Sequence, residues 1–193
     1  MSNSFESIIK PAFNLTLLKN RSLAWKFATL IFGNLFLILS SYIVVPMIPV
    51  PMTMQTFAVT LIGAVYGWRF GGMMVIIWLI EGALGLPVLA GGAGGIHCFV
   101  GATAGYIFSF PIAAFLMGWL SERGWNGNRV FLAFSGMLIS NTLVILFGAG
   151  WLATLIGYKP AIILGLKPFL TGAVIRSFVG ALTMKFLMRT EKT

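Results

Sequence analysis

Carboxylates are nearly missing from this chain. Its 193 residues include four acidic side chains, all glutamate, beside 13 lysines and arginines, one histidine and one cysteine. Charged residues make up 9% of the sequence, against about 25% in soluble domains. That deficit excludes a water-covered globular surface and points to an integral membrane protein. The alternation of polarity that a transmembrane barrel needs is also missing, which leaves helices as the spanning element. With Cys98 alone, no intrachain disulfide can form; the residue reads as a small packing side chain, with a reactive thiol as the alternative. His97 and Cys98 are adjacent and have no further metal-ligand candidates nearby, so no metal site is assigned. No Walker motif is present, and no motif orients a base and a nucleophile. The chain is read as a non-enzyme without a resident cofactor.

What is abundant is apolar residues, 59% of the total, and glycine, 23 in number. Small residues let membrane helices approach closely. A span needs roughly 20 apolar residues, and six candidates emerge at about 24–45, 53–68, 71–88, 99–120, 130–150 and 168–188. The expected fold is therefore an all-α membrane protein with six transmembrane helices. Its parts are a basic N-terminal segment over 1–22, a single six-helix domain over 23–189 and a tail over 190–193. The first 22 residues lack the features of a secretory signal, so helix 1 is expected to remain in the mature protein. Their basic and apolar side chains suit the membrane surface, although Pro11 interrupts a continuous helix.

Orientation follows from the excess of Lys and Arg in cytoplasmic loops. One set of loops holds Lys10, Lys19, Arg21, Lys26, Arg69, Arg123, Arg129, Lys185, Arg189 and Lys192, the other only Lys159 and Lys167. Both termini are thus expected in the cytoplasm. The net charge of +9 reads as topology and attraction to anionic membrane lipid. A nucleic-acid partner is not expected, since it would need a basic face on a folded soluble surface.

The stretch from Val50 to Tyr106 is expected to form the wall of a binding pocket. Its Pro- and Gly-rich interruptions sit against long apolar runs, and irregular backbone at membrane depth survives only where it is buried in protein or lines a cavity. Pro46, Pro49 and Pro51 keep the first external loop extended. Gln55 then stands at the outer end of helix 2, where its amide can meet a neutral polar ligand or cap backbone groups freed by the prolines. In PVLAGGAGG, Gly91 and Gly92 let backbone amides and carbonyls approach a ligand. Thr103 and Tyr106 open helix 4 with hydroxyls that can pair with a ligand or with helix carbonyls. In helix 5, Asn141 needs a polar partner, either a neighbouring helix or a substrate. The apolar segment from Trp151 to Lys167, broken by Gly157, Pro160 and Gly165, is expected to be the longest external connection, a lid or a re-entrant piece packed on the bundle.

Two opposite charges lie inside the expected bundle, Glu81 roughly 7 Å and Arg176 roughly 12 Å from its outer face by helical rise. They form an ion pair, or Arg176 receives the carboxylate of an anionic ligand with its bidentate fork. In helix 1, Ala24 and Ala28 place two small side chains on one face, for packing within the chain or for a partner protein.

The segments VPMTMQTFAVTLIGAVYGWRFGG, GALGLPVLAGGAGG and GATAGY resemble, in order and spacing, the BioY family, the biotin-specific S-components of energy-coupling-factor (ECF) transporters. The resemblance covers roughly residues 24–188. It implies the six-helix S-component fold, biotin captured near the outer face of a prokaryotic cell membrane, and a partner transmembrane T-component with two cytoplasmic ATPase subunits. Any ATP dependence would come from those partners, and Ala24 and Ala28 would face the T-component. The chain departs from the family pattern at two places. Gly-Pro-Thr-Gly-Gly-Tyr is replaced by Gly101, Ala102, Thr103, Ala104, Gly105 and Tyr106. Toward the C-terminus the family's acid falls on Ala173 and its lysine on Arg176, which alters the expected contacts to the ureido ring. The expected site is an apolar pocket in which Gln55, Glu81, Gly91, Gly92, Thr103, Tyr106, Asn141 and Arg176 meet the ligand. The rival readings are a stand-alone facilitator for biotin or another small acid, and a membrane-embedded enzyme using Glu81, His97 or Cys98.

Overall fold

A run of apolar residues without charge has one stable backbone solution away from water, the internally bonded helix, and the computed structural model of the protein is helical through most of its described residues, 23–190. The N-terminal segment over 1–22 and the end of the tail, 191–193, lie outside the described residues. Helix α1 (Leu23–Tyr42) leads into two short antiparallel strands, β1 (Val44–Val45) and β2 (Met52–Thr53), with Val44 opposite Thr53. Helix α2 (Gln55–Ala83) follows, then a loop with two 3-10 turns at Ala90–Gly92 and Ile96–Phe99. Helices α3 (Ala104–Glu122) and α4 (Val130–Ile156) come next. The last helical run is α5 (Tyr158–Ala161), a π-helical segment (Ile162–Leu166) and α6 (Lys167–Thr190).

Four helical stretches among the described residues are long and apolar enough to cross a membrane: α2, α3, α4 and the composite Tyr158–Arg189, while α1 supplies a shorter apolar stretch, Phe27–Tyr42. Helix α2 is itself divided. Gly67 stands at φ 77° and ψ 170°, a region open in practice only to glycine. Beyond it the chain turns back, because Gly71 packs on the backbone of Ile62 and Gly63; in a straight helix residues 63 and 71 would stand roughly 12 Å apart. The first arm (55–66) and second arm (68–83) thus form a hairpin, and Glu122 of α3 accepts a hydrogen bond from the Trp68 N–H at 3.3 Å, capping the second arm. Substituting Gly67 by alanine is expected to destabilise the protein by about 1–3 kcal/mol through backbone strain alone. Thermal unfolding in detergent, read beside Gly150→Ala, where nothing lies within 4 Å of the added carbon, measures it.

The segment from Trp151 to Lys167 corrects the sequence reading. It is neither lid nor loop: α4 runs on to Ile156, Gly157 reverses the chain at φ 87°, and helix resumes at Tyr158. Pro160 falls in the first turn of the new helix, where a missing N–H is harmless. Gly165 sits within the π-helical segment against Leu152 and the Tyr106 hydroxyl. Helix boundaries move too: α1 stops at Tyr42, the second arm stops at Ala83 before Gly85 at φ 98°, and α3 begins at Ala104 after the 3-10 turn.

The core lies where α2, α3, α4 and α6 meet. Trp78, Val59, Met74, Val144, Leu152 and Ala173 are fully or almost fully buried there. Helix α3 packs most extensively against the two arms of α2. Outward faces carry Phe32, Leu39, Phe131, Phe178 and Phe186 in contact with the surroundings, as expected where lipid replaces water.

Candidate functional site

One end of the bundle is closed by the irregular segments on either side of α2, and beneath them lies a cavity of about 140 Å³. That is roughly ten times the space one water requires. The first arm of α2 contributes Gln55 and Thr56, and the loop before it Val50, Pro51 and Thr53. The loop after α2 contributes Leu89, Ala90, Ala93 and Cys98. Helices α3, α4 and α6 complete the wall with Thr103, Tyr106, Phe110, Asn141, Val144, Phe169 and Arg176. The stretch from Val50 to Tyr106 therefore supplies much of the wall, as its interrupted apolar pattern predicts.

The loop after α2 is pinned by side chains that bond its backbone. Trp78 Nε1 donates to the Val88 carbonyl at 3.0 Å while its ring stacks on Phe110, and Tyr42 donates its hydroxyl to the Pro87 carbonyl at 2.7 Å. Gly91 and Gly92, at φ 64° and 81°, make the turn that aims Leu89 and Ala90 inward. Neither glycine is itself in the wall; Gly92 rests on the Tyr42 ring. Burial pushes the Cys98 thiol up from its ordinary range, so the residue stays a neutral packing group near pH 7.

Arg176 is the one charged side chain in the wall, and it is 5% exposed. Its Nε donates to the Gly172 carbonyl at 3.0 Å; its Nη1 donates to the Thr53 carbonyl and to Thr56 Oγ1, each at 2.7 Å. The remaining nitrogen, Nη2, lies against Gly172 and makes no hydrogen bond within the described residues. Among the described residues no carboxylate bonds this guanidinium. Glu81 stands elsewhere, accepting a hydrogen bond from Asn34 Nδ2 of α1, so the two opposite charges of the bundle do not pair and Glu81 does not reach the cavity.

The other candidates divide by whether the protein already uses their polar atoms. Gln55 lines the cavity, but its Nε2 donates to Ser41 Oγ at 3.0 Å and its Oε1 accepts from Thr53 Oγ1 at 2.9 Å. Thr103 donates to the Cys98 carbonyl, and Tyr106 to the Gly165 carbonyl at 2.8 Å. Both hydroxyls therefore serve the fold, and Tyr106 offers the cavity a ring stacked on Phe169 with centroids 5.4 Å apart. Asn141 differs: its Nδ2 donates to Ser177 Oγ at 3.0 Å, while its buried Oδ1 has no partner among the described residues. The sequence reading omitted Thr53, Thr56, Phe169 and Ser177. Nothing in their spacing announces them, because their roles depend on where α6 crosses the start of α2.

The model of the BioY family matches residues 14–193. The chain belongs to the BioY family. Among BioY relatives, the probable biotin transporter BioY of Pyrococcus horikoshii is 40% identical over 129 residues, covering 67% of this chain and 75% of its own. The biotin transporter BioY of Rhizobium etli is 38% identical over 149 residues, 73% of this chain and 79% of its own. In three dimensions the BioY chain is similar to the crystallised S-component for biotin from an ECF-type ABC transporter, with a TM-score of 0.73 over 86% of this chain and 92% of that one at 24% identity. The expected S-component-like bundle is thus the fold observed. Ala24 and Ala28 are exposed on α1, on the outside of this BioY bundle and away from the cavity.

Proposed function

We propose that the protein captures biotin in this cavity and delivers it across the cell membrane of a prokaryote as the S-component of an ECF-type transporter. The observation that carries the reading is Arg176. A buried guanidinium without a carboxylate among the described residues is stabilised by whatever anion enters, and Nη2 is the nitrogen that the described residues leave without a hydrogen bond. Most of the remaining wall surface is apolar, which suits a thiophane ring and a valeryl chain. Family membership narrows the acid to the vitamin that the relatives of Pyrococcus horikoshii and Rhizobium etli are named for.

In this reading the two arms of α2 cross the membrane separately, so that with α1, α3, α4 and the composite last helix there are six spans. Both termini then face the cytoplasm, in agreement with the Lys and Arg distribution. The exposed face of α1 with Ala24 and Ala28 meets a transmembrane T-component, and two ATPase subunits supply the energy. His97 is exposed and Cys98 is a partly buried wall residue, and the described residues hold no cluster of three metal-ligating side chains; neither residue is assigned chemistry. Equilibrium binding to detergent-purified protein tests the function. Biotin is expected to bind and to be displaced by desthiobiotin but not by thiamine. Absence of saturable biotin binding would overturn the reading.

A further inference from the structure

Asn141 stands out among the buried polar groups of the wall. It is 1% exposed, it lines the cavity, and its Oδ1 is an acceptor that no group among the described residues satisfies. An unmet acceptor at this depth is strongly unfavourable. Its amide is held from the other side, because Nδ2 donates to Ser177 Oγ on α6. With Nδ2 engaged there, Oδ1 is the amide atom that remains for an incoming group.

The acceptor and Arg176 meet different levels of α6. The Arg176 side chain runs back along α6 to the level of Gly172, whose carbonyl it bonds, and its tip meets Thr53 and Thr56 beside the closing loops. The Asn141 amide meets α6 at Ser177, five residues beyond Gly172, and so lies on the side of the guanidinium away from the closing loops. Apolar side chains, Val144 and Phe110 among them, occupy the wall around these two polar points.

From this arrangement we infer that Asn141 Oδ1 is a specificity-determining acceptor that takes an N–H of the ligand's ring at the inner end of the cavity, while Arg176 holds the anionic end nearer the loops. The ligand class is an acid whose carboxylate is separated by an apolar body from a cyclic urea or lactam N–H. The inference rests on the biotin reading and assigns within it the atom that reads the ureido group. Ser177 acts through Asn141 as a positioning residue.

The test compares biotin with its two cyclic carbamate analogues, in each of which one ureido N–H is replaced by a ring oxygen of nearly the same size. Wild-type protein is expected to bind one of the two analogues roughly tenfold to a hundredfold more weakly than biotin, since acceptor would then face acceptor. In Asn141→Leu, and in the smaller Asn141→Ala should the first fail to fold, that discrimination is expected to shrink to within about threefold. Wild-type protein that binds both carbamates as tightly as biotin would overturn the inference without any variant; tighter binding of a carbamate would mean that the amide presents its N–H₂ group instead, with the same consequence. Unchanged discrimination in the Asn141 variants would overturn it too. If wild-type protein bound neither biotin nor the carbamates, the biotin reading itself would fall and this inference with it.

Discussion

Replacing Arg176 by methionine is expected to weaken biotin binding by roughly thirtyfold to a few thousandfold, the range that follows from removing one partner of a buried, hydrogen-bonded charge pair. Methionine keeps much of the stem and its packing, so the loss isolates the charge. The guanidinium is held before any ligand arrives: Gly172, Thr53 and Thr56 take three of its five donors. Binding therefore spends little on ordering the side chain, and a lysine in its place could not reproduce the three-point clamp. Biotinamide, with no carboxylate, separates the roles. Wild-type protein should prefer biotin to biotinamide, and Arg176→Met should lose that preference. An equal loss for both ligands would instead place the guanidinium against the ring. Without ligand, the variant is expected to melt a few degrees below wild type, because the Thr53 carbonyl and the Thr56 hydroxyl lose their donor.

The site was legible where chemistry is carried by rare residues in an apolar background. Arg176 and Asn141 are conspicuous inside spans because burying either without a partner is unfavourable. The Pro- and Gly-rich interruptions before and after α2 mark the cavity because unpaired backbone needs protein or a cavity around it. What the sequence does not carry is the choice among partners. Glu81 and Arg176 lie at similar expected depths, yet depth along a helix leaves its rotation open, and Glu81 faces Asn34 of α1. Gln55 and Tyr106 were recognised as cavity residues, but their polar atoms are engaged by Ser41, Thr53 and Gly165, contacts set by tertiary packing. The segment from Trp151 to Lys167 misled because Pro and Gly were read as breaks wherever they occur. Only Gly157 breaks the helix there, since Pro160 enters a first turn and Gly165 packs beneath Tyr106.

Gly63→Leu is expected to lower the thermal midpoint in detergent by roughly 6–12 °C, corresponding to about 3 kcal/mol of overpacking in a chain of this size. In a bilayer the hydrophobic effect does not hold helix to helix, so stability rests on close packing of small residues. Gly63 is where the first arm of α2 crosses α3 in direct backbone contact. A side chain there would start against the Ala114 carbonyl oxygen and 2.9 Å from the Ala114 Cα. Neither atom can rotate away, so the whole helix must move. The counterpart contact four residues along α3, Gly118 against the backbone of Trp68, fixes the second arm to the same helix, and displacing one arm strains the turn at Gly67. The consequence reaches the ligand. The first arm carries Thr56 and begins just after Thr53, the two residues that clamp Arg176, so Gly63→Leu should also weaken biotin binding at temperatures where it remains folded. Gly150→Leu is the matched control: Gly150 is exposed and an added Cβ meets nothing within 4 Å, so its midpoint is expected to stay within about 2 °C. Equal midpoints for the two variants would refute the idea that this crossing sets the geometry of the site, whereas a selective loss in Gly63→Leu would tie helix packing directly to vitamin capture.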